Sequence, residues 1–166
     1  MEETENSPSP TLTPLHPNHV KVTRIVAALF ALPFVAVALI VEVAQSLGDE
    51  RFLPPGVVLV PILLLALLLI FRLPLRRYHA RGFDMGADRL RVVRGIMFHS
   101  DSVVPFGRIQ HIDVHQGPLQ RFYDLATLTV HTAGTHNASV HLPGLLNSDA
   151  MAMREEIRAH IKRETM

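Results

Sequence analysis

The sequence predicts a membrane α-helical hairpin followed by an α+β soluble domain, an antiparallel β-sandwich or partly open barrel closed by a C-terminal helix. Three observations carry this. Phe52–Phe71 (FLPPGVVLVPILLLALLLIF) holds no charged residue, and its ~20 residues at ~1.5 Å rise match the ~30 Å hydrocarbon core of a bilayer. A second apolar run, Ile25–Val41, precedes it. Beyond Arg72 the apolar pattern switches to a period of two over short stretches, and after Asn147 to every fourth residue.

The totals narrow the function classes. The 166 residues suffice for one small domain plus membrane spans, and a formal net charge of +1 gives no reason to expect a nucleic-acid partner. The absence of cysteine excludes disulfides, thiolate metal sites and a cysteine nucleophile, and it fits a reducing compartment. Without tryptophan, interfacial anchoring falls to Tyr78, arginine and lysine.

Residues 1–20, with Glu2, Glu3, Glu5, a Ser-Pro-Ser-Pro repeat, Pro14 and Pro17, bury too little to order themselves and read as a flexible tail. The hairpin occupies residues 21–75. Its first span covers about residues 25–44, extending the Ile25–Val41 run through Glu42, which then sits near the interface. Pro33 lies mid-span, where membrane helices tolerate proline. A cleaved signal peptide is the rival reading; the long proline-rich leader and the lack of a small-x-small site after the run oppose it. Gln45–Arg51 is the connector, with Gly48 and Asp49 suited to a turn. Pro54 and Pro55 fit the first turn of the second span, residues 52–71.

Lys21 and Arg24 flank the first span, and Arg72, Arg76, Arg77 and Arg81 follow the second; the connector pairs Arg51 with Asp49 and Glu50. Basic outer ends predict a multi-pass protein of the cell membrane with both termini and the polar domain in the cytoplasm.

The polar domain, residues 76–166, is read as follows. A turn at Gly86–Asp88 precedes a strand in which Leu90 and Val92 alternate with Arg89 and Arg91, and Gly95 closes the next turn. Met97–Val104 is extended and ends at Pro105 and Gly107. Ile109–His115 follows, with Ile109 out of phase with Ile112 and Val114, which predicts a bulge. Ala126, Leu128 and Val130 alternate with Thr127, Thr129 and His131, and Val140 and Leu142 match them across a turn at Ala133–Ala138. Gly117-Pro118 reads as a turn, and Pro143-Gly144 as the break before the helix. Asn147 or Ser148 caps that helix, whose stripe is Met153, Ile157 and Ile161.

Strands closed by one C-terminal helix follow the pleckstrin-homology plan, and particular residues go further. Arg76, Arg77 and Tyr78 follow the span. Then come Leu90-x-Val92-x-x-Gly95, Pro105-x-x-Arg108-Ile109-Gln110, Gln116-Gly117-Pro118-Leu119-Gln120-Arg121, Thr132-Ala133-Gly134 and Leu142-Pro143-Gly144-Leu145. In these, Arg72–Ile161 and the preceding hairpin resemble the bacterial PH-like (second type, YdbS-like) membrane protein family. Asp124 departs from a pattern that often has glycine there, and a left-handed turn would still tolerate it. The resemblance implies a membrane-tethered PH-like module without enzymatic activity, often found beside a larger relative carrying repeated PH-like domains.

The chemistry is sparse. His111 and His115 would share a strand face at roughly 13 Å, too far for one metal unless a bulge intervenes. His131 and His141 lie opposite the apolar residues of their strands, where a hairpin would bring them together. With His79, His99 and His136 they lack zinc spacing and read as solvated imidazoles; no metal ligand and no cofactor is assigned. His99, Ser100 and Asp101 alternate faces and form no triad, so no catalytic residue is assigned. Arg72, Arg76, Arg77 and Arg81 are candidates for headgroup contact at the inner surface, and Arg89, Arg91 and Arg94 for an anionic ligand. The favoured reading is a non-enzymatic protein-interaction or assembly module. Its partners are the bilayer and another membrane protein, a larger PH-like relative fitting best. An anionic-lipid-sensing module and, remotely, a histidine-based metal-dependent enzyme stay open, as does the oligomeric state.

Overall fold

The computed structural model describes residues 12–48, 52–96, 98–133 and 139–164. Two long apolar helices come first. α1 (Asn18–Leu47) runs through Pro33 without a break, and Phe30, Leu32, Phe34 and Ile40 project outward, each about two-thirds exposed or more. Such an outward face needs lipid as its solvent.

α2 (Leu59–His79) starts later than expected and ends later. Residues 55–58 are in turns, with Gly56 at φ +85°, so Pro54 and Pro55 lie before the helix and not in its first turn. The entry is held from α1: Gly56 N–H donates to Glu42 Oε1 at 2.6 Å, and Leu53 N–H to Gln45 Oε1 at 3.2 Å. The expected turn residue Asp49, with Glu50 and Arg51, lies outside the described residues. The helix continues past Phe71 to His79, with a π-helical turn at Leu68–Arg72 in which Leu73 N–H donates to Leu68 O. Pro74 explains the turn, since it has no N–H for the carbonyl four residues back and its ring would crowd it. Arg24 of α1 sits 5.6 Å from the Phe71 ring centroid, so the start of α1 and the later part of α2 share one end of the hairpin.

Two three-stranded antiparallel sheets follow. One orders β1 (Arg81–Met85), β2 (Arg89–Arg94) and β3 (Ser100–Pro105); the other orders β4 (Ile109–His115), β5 (Leu125–Thr132) and β6 (Ser139–Leu146). They do not close into one barrel. A 3-10 turn, Phe106–Arg108, joins them. The bulge expected near Ile109 is present between Ile109 and His111. Pro143-Gly144 does not end β6. Gly144, at φ +77°, is the extra residue of a bulge inside it. Gly117-Pro118 opens a one-turn helix, α3 (Pro118–Phe122), and Asp124 takes the left-handed conformation at φ 53°. Gly134–Ala138 of the expected β5–β6 turn, His136 among them, lie outside the described residues, as does Met97.

The core lies between the sheets and α4 (Asn147–Glu164). Leu90, Val92, Val104 and Phe106 meet Leu128, Val130 and Leu142, and α4 lays Ala150, Met153 and Ile157 on them. The Asn147 side chain is not the expected cap. Its Oδ1 is buried without a hydrogen bond among the described residues, while its backbone N–H donates to Asp124 O at 3.0 Å. Ser148 lies inside the helix and its hydroxyl donates to Asp149.

Part of the expected tail is bound to the domain. Thr13 and Phe83 exchange backbone hydrogen bonds of 2.7 and 3.0 Å at the β1 edge. Leu15 is 2% exposed and joins the core, and Tyr78 OH donates to its carbonyl at 2.9 Å. An unpaired strand edge and one apolar side chain suffice to dock a short segment that composition alone marks as unstructured. Residues 1–11 of that tail lie outside the described residues.

Candidate functional site

The helix that carries the chain out of the apolar hairpin also starts the sheet, and this brings three arginines together. Arg77 sits in the last turns of α2, Arg81 opens β1, and Arg94 ends β2 directly opposite Arg81. Like charges facing each other across a ladder are unfavourable. Among the described residues no carboxylate lies within ion-pair distance of any of the three. Burial, and then the charges of Arg77 and Arg94, push the Arg81 pKa below the usual arginine value. Arg81 and Arg94 share the sheet face of Leu90 and Val92, so they stand at the rim of the apolar interior.

A cleft of about 520 Å³ opens beside them, lined by Leu73, Arg77, Arg81, Arg94, Ile96 and Phe98. Its outer wall depends on Gly95. At φ +146°, a Cβ there would lie 1.9 Å from Phe98 O, so only glycine fits. The turn that results projects Ile96 and Phe98, the latter 85% exposed, beside three cations. The arrangement offers guanidinium groups to an anion and apolar side chains to a surrounding lipid.

The structure regroups the arginines that the sequence singles out. Arg72 and Arg76 are exposed on α2 and do not line the cleft. Arg89 lies at the far end of β2, 4.0 Å from Asp88. Arg91 donates to Asp101 from Nε and Nη2, and this hydrogen-bonded partner holds the Asp101 pKa below the usual carboxylate value. Arg94 differs in strand phase from Arg89 and Arg91, which a period of two already implies. Ile96 and Phe98 carry no comparable signal, because apolar residues in a turn read as ordinary strand.

A second cluster lies on the outer face of β4 and β5. His111 and His131 face each other across the ladder with stacked rings, 4.1 Å between centroids. Asp113 Oδ2 is 3.3 Å from His131 Nε2 and 3.7 Å from His111 Nε2. His141 shares the face but turns to Thr129, with Nδ1 3.0 Å from the hydroxyl, so the expected His131–His141 pair does not form. Asp113 is a residue that sequence reasoning passed over.

The bacterial PH domain family matches residues 22–161, a stretch that takes in nearly all of α1, all of α2, both sheets and most of α4. The chain belongs to the bacterial PH domain family. This bacterial PH domain protein is also similar to the transmembrane protein YdbS of Bacillus subtilis (strain 168), 28% identical over 147 residues, which cover 86% of this chain and 88% of the relative. No solved structure matches it. Two helices are long and apolar enough to cross a bilayer, and the relative is a transmembrane protein; the chain is a membrane protein of the YdbS-like kind. Neither description indicates an enzymatic family.

Proposed function

We propose that this bacterial PH domain protein is a non-enzymatic module, anchored by a two-span hairpin with both termini cytoplasmic, whose arginine cleft engages anionic lipid headgroups at the inner surface of the cell membrane. The observation that supports the reading is the meeting of Arg77, Arg81 and Arg94, without carboxylate partners among the described residues, beside Ile96 and Phe98 and next to the helix leaving the membrane. Each such cation gains about 1 kcal/mol near anionic headgroups. Three together are worth about 3 kcal/mol, or roughly 150-fold in affinity. Full-length protein in neutral detergent tests this. Native mass spectrometry should show retention of phosphatidylglycerol over phosphatidylcholine, and retention should fall by about that factor when all three arginines become glutamine. Equal retention of both lipids, or a triple variant that behaves as wild type, refutes the reading.

A second reading, assembly with another membrane protein, draws support from Phe122 at the end of α3, which is 82% exposed. A larger PH-like relative is the partner this reading names. Crosslinking in native membranes should then capture such a partner through wild-type protein and lose it in F122A.

A further inference from the structure

We infer that His111, Asp113 and His131 form a binding site for one divalent transition-metal ion of the zinc class, on the outer face of β4 and β5. Each residue offers one ligand atom, and the three atoms all lie within 4.8 Å of one another. The two Nε2–Oδ2 separations are 3.3 and 3.7 Å. Ligand atoms bound tetrahedrally at ~2.0–2.1 Å stand about 3.4 Å apart, which the two Nε2–Oδ2 spacings already match, while the stacked imidazoles turn out of their stack so that both in-plane lone pairs reach one ion. Two imidazoles and one carboxylate suit zinc, iron, copper or nickel, and suit magnesium or calcium poorly.

The backbone builds this juxtaposition. Ile109 pairs with Thr132, and in unbroken register His111 would face Val130, a core residue. The bulge inserts Gln110 and slips the register by one, which sets His111 opposite His131 on the outer face. Asp113 follows two residues later on the same face. All three ligands thus sit on paired strands and not on a loop. The His131 and Asp113 side chains are 31% and 44% exposed, which leaves the remaining coordination positions open to water or a further ligand.

The test uses full-length protein without a polyhistidine tag, stripped of metal in neutral detergent and titrated with Zn²⁺ at about pH 7.5. Calorimetry should show one saturable equivalent, weakened at least about tenfold in D113N and in H131A and unchanged in H141A. Zn²⁺ should raise the unfolding midpoint of wild type and not that of D113N or H131A. Each variant is first required to unfold at the wild-type midpoint without metal, and H131Q replaces H131A if that one does not. Three results overturn the inference: no saturable binding at roughly 100 μM Zn²⁺, binding that survives both D113N and H131A, or Mg²⁺ bound as tightly as Zn²⁺.

Discussion

Replacing Gly144 by alanine tests how the membrane helices are locked to the sheets. Gly144 is the bulge residue of β6, and its carbonyl accepts the His16 N–H at 2.8 Å. A Cβ at this position would lie 2.6 Å from His19 Cγ and 2.9 Å from His19 Cβ and Nδ1. Two costs follow. Alanine at φ +77° loses about 1 kcal/mol or a little more against glycine. Pushing the His19 ring off its rotamer adds about 0.5–1.5 kcal/mol. The sum, about 1.5–2.5 kcal/mol, should lower the unfolding midpoint of the full-length protein in detergent by about 3–10 °C. The double variant G144A/H19A removes the ring contacts and keeps the Cβ contact and the backbone cost, so the two changes should couple by up to about 1 kcal/mol in a double-mutant cycle. A G144A midpoint within about 1 °C of wild type, or strict additivity with H19A, would refute the contact.

Three further outcomes follow from the same packing and pairing. Leu128 is wholly buried in the central strand of its sheet, so L128A should cost about 2–5 kcal/mol, read as a fall in the thermal midpoint. Arg94→Gln removes one of two facing cations, so without lipid it should leave stability unchanged or raise it by about 0.2–1 kcal/mol, while weakening anionic-lipid retention about fivefold; a fall in both would mean the arginine is structural. Asp101 is held below its ordinary pKa of 3.8 by Arg91, so its stabilising effect is present above that pH and fades as the pH falls through the lowered value. Thermal midpoints between neutral and acid pH should therefore fall less steeply in D101N than in wild type.

Much of the fold was legible because its signals are local. The two apolar runs, the alternation of Leu90 with Val92 and of Leu128 with Val130, and the Met153–Ile157 stripe all sit where the structure buries them or turns them to lipid. The phase error at Ile109 announced its bulge, and Asp124 took its left-handed turn. What escaped depends on pairs far apart in sequence. Leu15 is buried only because β1 leaves an edge for Thr13. Arg81 and Arg94 become neighbours only through the β1–β2 register, and Arg91, already on the opposite face by phase, finds its partner Asp101 only through the β2–β3 register. His111 finds His131 and not His115 for the same reason. The start of α2 was misplaced because apolarity marks a span, whereas the backbone of Gly56 decides where coiling begins.

A single residue, Ala80, lies between the end of α2 and the first residue of β1. If α2 spans the bilayer as proposed, so short a joint would make the helix and the first sheet one lever, about 30 Å long on the lipid side. A tilt of about 10°, within the range that a change of bilayer thickness imposes on a spanning helix, would sweep the far end by about 5 Å. The π-helical turn at Leu68–Arg72 is the part of that lever able to yield, so straightening it by replacing Pro74 would stiffen the coupling between membrane thickness and the attitude of the sheets.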